Sequence, residues 1–174
     1  TVANGRIILN ADDSNVKEWI ARAGNRKIIK FSEYNTNVGY FASDIEIGSD
    51  GKVSFVLNTP LAALSITLKL LGRHNVINAV AAAAASMEGG AKLVHVKEGL
   101  ESLSPVSGRL TPLLGLNHCR ILDDTYNASP TSFRAAIDAL MSFSGQKILL
   151  AGDMRELGIE TEKLHKEIGK YAAQ

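Results

Sequence analysis

The sequence predicts an α/β protein, and three observations carry that prediction. Strand-like and helix-like runs alternate along the whole chain. An alternating run passes through a glycine turn into an alanine-rich helix. A Ser-Pro helix entry follows an apolar run that ends in two aspartates. At 45% hydrophobic and 21% charged residues, the composition is that of a globular protein. A chain of 174 residues could bury roughly 70% of its unfolded surface as one compact unit.

In chain order, residues 6–9 read as a strand. Residues 14–23 read as a helix with Ser14 at its N-cap and Trp19 in the core beside Val16 and Ile20. Residues 26–31 form a second strand, followed by strands at 40–47, 52–57 and 64–70. Gly48-Ser49-Asp50-Gly51 marks a hairpin between the first two of these. Helices follow at 73–88 and 92–103, separated by Gly89-Gly90. Ser104-Pro105-Val106-Ser107-Gly108 is the one stretch of linker composition, which divides the chain into domains 1–104 and 105–174. Beyond it come strands at 109–114 and 118–122, a helix at 130–141, a strand at 147–151 and a helix at 161–173.

The most informative segment is Gly72-Arg73-His74-Asn75-Val76-Ile77-Asn78-Ala79, which runs into Val80 and five alanines. His74 and Asn78 are four apart and Asn75 and Asn78 three apart, so all three share one face of the first helical turn. Unpaired N–H donors and a partial positive charge at a helix start suit an anionic or nucleotide ligand. The same residues also suit a simpler role, with Asn75 capping the helix and His74 satisfying a carbonyl.

A second polar cluster is Asp123-Asp124-Thr125-Tyr126-Asn127-Ala128-Ser129-Pro130. Serine as N-cap and proline at the first helical position open the helix behind it. Its carboxylates therefore stand at the carboxyl end of a strand, where open α/β sheets bind ligands. Adjacent strand residues point to opposite faces. Asp123 is the better candidate for loop capping and Asp124 for ligand contact. Arg109, just after the linker, can bridge two domains and a phosphate, or form a surface salt bridge.

Other residues take plainer readings. A net charge of +1 with scattered Lys and Arg gives no footprint for nucleic acid or an anionic membrane. Cys119 reads as a small core residue of a strand. His95 reads as surface or packing, His118 as a strand start, and His165 as part of a solvated helix face. The four histidines and one cysteine show no metal-ligand spacing. Residues 61–71 are too short and too polar to span a bilayer, and no signal peptide is evident. Asn10-Ala11-Asp12-Asp13 reads as helix-entry capping at a strand end.

Taken in order, GRHNVxNAxAAAA at 72–85, SGRL at 107–110, DDxYNAxP at 123–130 and GDMxELG at 152–158 resemble the Mur ligases. Leu9-Asn10-Ala11-Asp12-Asp13 extends the likeness over nearly the whole chain. The first motif alone marks the wider Mur and folylpolyglutamate ligase group. The pairing of DDTYNASP with GDMRELG is similar to the branch that adds D-alanyl-D-alanine to a UDP-N-acetylmuramoyl tripeptide.

The resemblance implies part of a Mur ligase central nucleotide-binding domain followed by part of a Rossmann-like C-terminal domain. It implies an ATP-dependent carboxylate–amine ligase of peptidoglycan precursor synthesis, working through an acyl phosphate. Asn78 would meet the adenine edge, with His74 and Asn75 lining the pocket. Asp124 would accept from the ribose hydroxyls, and Arg109 would act catalytically on the ATP phosphates. Tyr126, Asn127 and Ser129 would lie near the incoming dipeptide.

The family's GKT/S phosphate loop does not occur in these residues. That loop, the ligands of Mg²⁺ and the UDP-sugar domain are expected upstream of Thr1-Val2-Ala3, so the chain by itself is expected to be inactive. The implied setting is a cytoplasmic monomer with no nucleic-acid or membrane partner. A sister ligase that adds a diamino acid, a folylpolyglutamate synthetase and a non-catalytic nucleotide-binding module are the alternatives.

Overall fold

The computed structural model describes residues 5–174; the expectation placed on Thr1-Val2-Ala3 lies outside them. The chain divides into two compact units. One takes the residues up to Glu46, Val53–Lys69 and His74–Leu103; the other takes Ile47–Lys52, Leu70–Arg73 and Ser104–Gln174.

The first unit is built on a sheet whose five strands lie in chain order: β1 (Arg6–Asn10), β2 (Lys27–Ser32), β3 (Tyr40–Ile47), β4 (Lys52–Asn58) and β5 (Ala63–Leu71). β1 and β2 are parallel, in a register from Arg6↔Lys27 to Asn10↔Phe31, and β2 and β3 are parallel at Phe31↔Tyr40. Parallel neighbours need a crossover, which α1 (Val16–Arg22) supplies between β1 and β2. Connections as short as 48–51 and 59–62 join β3, β4 and β5 as antiparallel neighbours.

Alternation places Val53, Phe55 and Leu57 of β4 and Ile66 and Leu68 of β5 in the core. α2 (His74–Glu88) buries Val76, Ala79, Val80, Ala83 and Ala84, the i, i+3, i+4 stripe of one helix face, and packs on β1 and β2. The alanines on that stripe let the helix axis come close to the sheet.

Two side-chain networks hold α2 and its neighbour α3 (Leu93–Ser102) in place. At the end of α2, the Glu88 carboxylate is only 15% exposed. It pairs with Arg6 Nη1 at 3.2 Å and Lys27 Nζ at 3.4 Å, and accepts the Tyr40 hydroxyl proton at 3.3 Å. Arg6 and Lys27 begin β1 and β2, so α2 runs antiparallel to them and starts at their carboxyl ends. Burial, and secondarily the Glu88 charge, raises the Tyr40 phenol above its ordinary value of 10.0.

β5 is a sheet edge, and α3 closes it. Glu101 Oε1 accepts the Thr67 backbone N–H at 3.1 Å, Lys97 Nζ donates to the Ser65 carbonyl, and the two side chains pair at 2.8 Å. The hydrogen bond from Lys97 is the main cause that holds the Glu101 carboxyl below its ordinary value of 4.5.

The second unit joins a two-stranded antiparallel sheet, β6 (Thr111–Leu114) with β7 (Arg120–Asp123), to helices α4 (Pro130–Met141) and α5 (Thr161–Ala172). Its core is Ile137, Met154 and Ile168, packed by Phe133, Leu157, Leu164 and Tyr171. Ser129 and Ser132 form a reciprocal capping box at the start of α4, with Pro130 in the first turn.

Several expectations are corrected. α1 begins at Val16, and Ser14 does not cap it; Asp13 Oδ1 takes the Asn15 N–H at 2.7 Å instead. Trp19 is 46% exposed, because the inward stripe is Val16, Ile20 and Ala23 and the indole lies on its flank under Arg22. Cys119 is exposed, directly after a 3-10 turn (Leu116–His118) that also takes in His118. Residues 147–151 form no strand, since an extended run becomes one only by pairing. Leu150 in that run is 93% exposed. His165 is half-buried rather than on a solvated face.

Candidate functional site

The candidate residues form two clusters, one in each unit. In the first, β5 passes through Gly72 into α2. Gly72 is buried at φ +88°, a backbone region that side-chain-bearing residues rarely adopt, and this sharp turn fixes where the helix starts. In the first turn of α2, Asn75 Nδ2 lies 3.3 Å from His74 Nε2, and Asn78 Nδ2 donates to Asn75 Oδ1 at 3.4 Å. The structure thus brings the three together as a relay, with His74 and Asn75 half-buried and Asn78 exposed. A carboxamide at the open end of such a relay can donate to and accept from the edge of a planar heterocycle.

The carboxyl ends of β1 and β2 stand at the same end of the sheet and carry a knot that the sequence reading undervalued. Ser32 is fully buried, and its hydroxyl lies 2.5 Å from Asp12 Oδ1. That hydroxyl also accepts the backbone N–H groups of Tyr34 at 2.9 Å and Asn35 at 2.6 Å, while Asp12 Oδ2 accepts Glu33 N–H at 2.7 Å. Asn10 Oδ1 in turn takes the Asp12 N–H at 2.9 Å. Asp12 therefore ties the two strand ends together rather than capping α1. No local signal marks the knot, since Ser32 closes a strand that already carries Lys27 and Lys30 and its partner lies twenty residues away.

In the second unit, the turn at residues 106–110 and the loop at 124–126 are stitched together. Leu110 N–H donates to Asp124 Oδ1 at 3.0 Å, and Tyr126 N–H donates to the Gly108 carbonyl at 3.1 Å. Gly108 is buried at φ +75°, and a Cβ there would stand 3.2 Å from the Tyr126 Cβ and backbone nitrogen. Leu110 is held at φ +47°, a strained angle for leucine. Arg109 stands between them, with Cζ 4.5 Å from the centre of the Tyr126 ring.

The rest of the loop is occupied locally. Asp123 Oδ1 accepts the Thr125 N–H at 3.2 Å and the Thr125 hydroxyl at 2.7 Å. Asn127 Oδ1 accepts Ala128 N–H at 2.9 Å, and the Ser129 hydroxyl serves the capping box. Asp124 also has a structural bond, which leaves its second oxygen and one lone pair of the first for a ligand. His165 was missed: its Nε2 accepts the Met154 N–H at 3.0 Å, and Nδ1 lies 2.8 Å from the Thr161 carbonyl. It pins the GDMRELG segment to α5. No local pattern signals this, because the partners are eleven residues apart.

Among the described residues, no group of three or more His, Cys, Asp or Glu side chains is placed to hold a metal ion. No helix among them is long and apolar enough to cross a membrane.

Residues 1–86 match the family described as Mur ligase middle domain, and residues 108–174 match the Mur ligase, glutamate ligase domain. The chain is 41% identical, over 97% of its length, to UDP-N-acetylmuramoyl-tripeptide--D-alanyl-D-alanine ligase of Escherichia coli (strain K12). It is 42% identical to the Haemophilus influenzae enzyme of the same name. The chain spans 37% and 36% of the lengths of these two relatives.

Among solved structures, MurF from Acinetobacter baumannii superposes with a TM-score of 0.92 at 33% identity, covering 99% of this chain and 37% of that one. MurF ligase from Thermotoga maritima in complex with ADP gives 0.82 at 25% identity, covering 97% and 38%.

Proposed function

Because the chain belongs to the Mur ligase family, we propose that the protein is an ATP-dependent carboxylate–amine ligase that adds D-alanyl-D-alanine to UDP-N-acetylmuramoyl tripeptide. One observation carries this reading: likeness to relatives of that name runs through 97% of the chain, across both polar clusters. The domains are taken as 1–104 and 105–174, the parts of a central ATP domain and of a C-terminal ligase domain.

The chemistry sets the demands. A carboxylate is a poor acyl donor at neutral pH. Its oxygen first attacks the γ-phosphorus of ATP, the bond to ADP breaks, and an acyl phosphate results. The dipeptide amine then attacks the carbonyl carbon, phosphate departs, the amine gives up a proton and the amide remains. Positioning and neutralising phosphate charge supply most of the catalysis in the first step.

In this reading Asn78 hydrogen-bonds the adenine edge, with Asn75 and His74 behind it in the relay. Asp124 accepts from the ribose hydroxyls with the lone pairs that Leu110 leaves free. Arg109, a planar cation, reaches the phosphates. Tyr126, Asn127 and Ser129 border the dipeptide. Mg²⁺ bound to the nucleotide would supply further neutralisation, and we assign none of the described residues to it. The enzyme acts as a cytoplasmic monomer, where ATP and nucleotide-linked sugars are available.

Phosphate release by the full-length protein tests the reading. It should require ATP, the UDP-linked tripeptide and D-alanyl-D-alanine together. Release with a free diamino acid in place of the dipeptide would overturn the substrate assignment, and no ATP turnover under any combination would overturn the activity.

A further inference from the structure

We infer that Tyr126 is the positioning residue for Arg109, its ring forming the platform that aims the guanidinium. The inference rests on the reading that Arg109 meets the ATP phosphates, and it gives Tyr126 a role besides the dipeptide assignment.

Several contacts surround the pair. The guanidinium carbon lies 4.5 Å from the ring centre, within the range of a cation–π contact. The backbones on either side are clamped, Tyr126 N–H to the Gly108 carbonyl and Leu110 N–H to Asp124 Oδ1. Arg109 N–H closes its own turn onto the Val106 carbonyl at 3.0 Å. The absent side chain of Gly108 leaves the room in which Tyr126 sits, since a Cβ there would meet it at 3.2 Å.

The backbone clamp is unusual in its cost. A leucine and a glycine at positive φ flank Arg109, and strain of that kind persists only where the surroundings hold it in place. A solvent-exposed arginine ordinarily samples many rotamers and loses that freedom when it engages a ligand. Here the ring removes much of that freedom beforehand. Tyr126 itself is 69% exposed, so its side chain contributes little to the core of the unit. Burial therefore does not account for an aromatic residue at this position, whereas the stack with Arg109 does.

Steady-state kinetics of the full-length enzyme test the inference. Tyr126→Leu removes the π face and should lower kcat about fivefold, the equivalent of a contact of about 1 kcal/mol. Tyr126→Phe keeps the face and should recover that kcat, whatever it does to the KM for the dipeptide. In an Arg109→Ala background, Tyr126→Leu should cause no further loss of kcat.

Three results overturn the positioning role: wild-type kcat in Tyr126→Leu, a Phe variant as slow as the Leu variant, or additive losses in the double variant. A different result, wild-type kinetics for Arg109→Ala alone, overturns the phosphate reading itself. The thermal melt of each variant shows whether it is folded; should Tyr126→Leu not fold, Tyr126→Met takes its place under the same criteria.

Discussion

Replacing Glu88 by alanine should cost the protein about 2 to 3 kcal/mol of stability. The carboxylate holds three partners at the point where α2 ends against the amino ends of β1 and β2. The pairs to Arg6 and Lys27 contribute little, because those side chains are about half-exposed or more and such pairs are worth about 0–1 kcal/mol. Tyr40 decides the magnitude. It is buried, and its hydroxyl donates to Glu88 Oε1. A hydrogen bond to a charged group is worth about 1.5–3 kcal/mol, and a buried donor left unpaired costs about 1–3 kcal/mol.

Urea unfolding of wild type, Glu88→Ala, Tyr40→Phe and the double variant measures this. The double variant should be less destabilised than the sum of the single ones, since Tyr40→Phe removes the orphaned donor. pH gives a second signature. The folded-state phenol is raised above 10.0, so its contribution is complete below the unfolded value and is lost as pH rises through the folded one. Glu88→Gln should shift that alkaline loss to lower pH, because the charge that helped raise the phenol is gone. A Glu88→Ala cost under about 0.5 kcal/mol, the range of ordinary surface substitutions, would refute the reasoning and reduce the cluster to a solvated surface pair.

Four other outcomes are expected. The Glu101 carboxyl is held low, so its contribution is present above the ordinary value of 4.5 and fades as pH falls through the folded value; acid unfolding of Glu101→Gln should show a flatter profile than wild type. Asp124→Ala in the full-length enzyme should raise the KM for ATP, while Asp123→Ala should leave it alone and cost about 1 kcal/mol by freeing Thr125, as steady-state rates and urea midpoints would report. Arg109→Lys keeps charge but loses the planar fork, so kcat should fall more than substrate binding weakens, and an unchanged kcat would make Arg109 a bystander. The 174-residue chain alone should release no phosphate above a heat-treated control, since it carries no GKT/S loop to cradle the γ-phosphate.

Much of the fold was legible because period and punctuation agreed. β3 and α4 fall on the expected residues, and the strand, glycine, helix passage at 71–74 was written in an alternating run, Gly72 and the alanines behind it. The contact of Asn75 with Asn78 follows from helical spacing, whereas that of His74 with Asn75 joins adjacent residues, which spacing does not bring face to face. What was not legible depended on partners distant in sequence. Nothing local announces that Asp12 joins Ser32 twenty residues away, or that Tyr126 comes under Arg109. The run at 147–151 has strand composition, yet composition cannot supply the neighbour that a strand requires. Trp19 was misplaced because it lies one position before Ile20, about 100° around the helix from it, which carries the indole off the inward stripe.

The lock that α3 places on β5 also sets an order of events during synthesis. β5 is complete at Leu71, whereas Lys97 and Glu101, which satisfy its outer edge, lie in a helix that ends at Ser102. At about 5–20 residues per second, the growing chain carries an open edge for roughly two to six seconds before its own clasp emerges. During that interval the backbone groups of Ser65 and Thr67 are available to any extended segment nearby, including the same strand on a neighbouring nascent chain. Lys97 and Glu101, a part-exposed pair on a helix held mainly by Val96 and Leu100, end that interval by engaging Ser65 and Thr67.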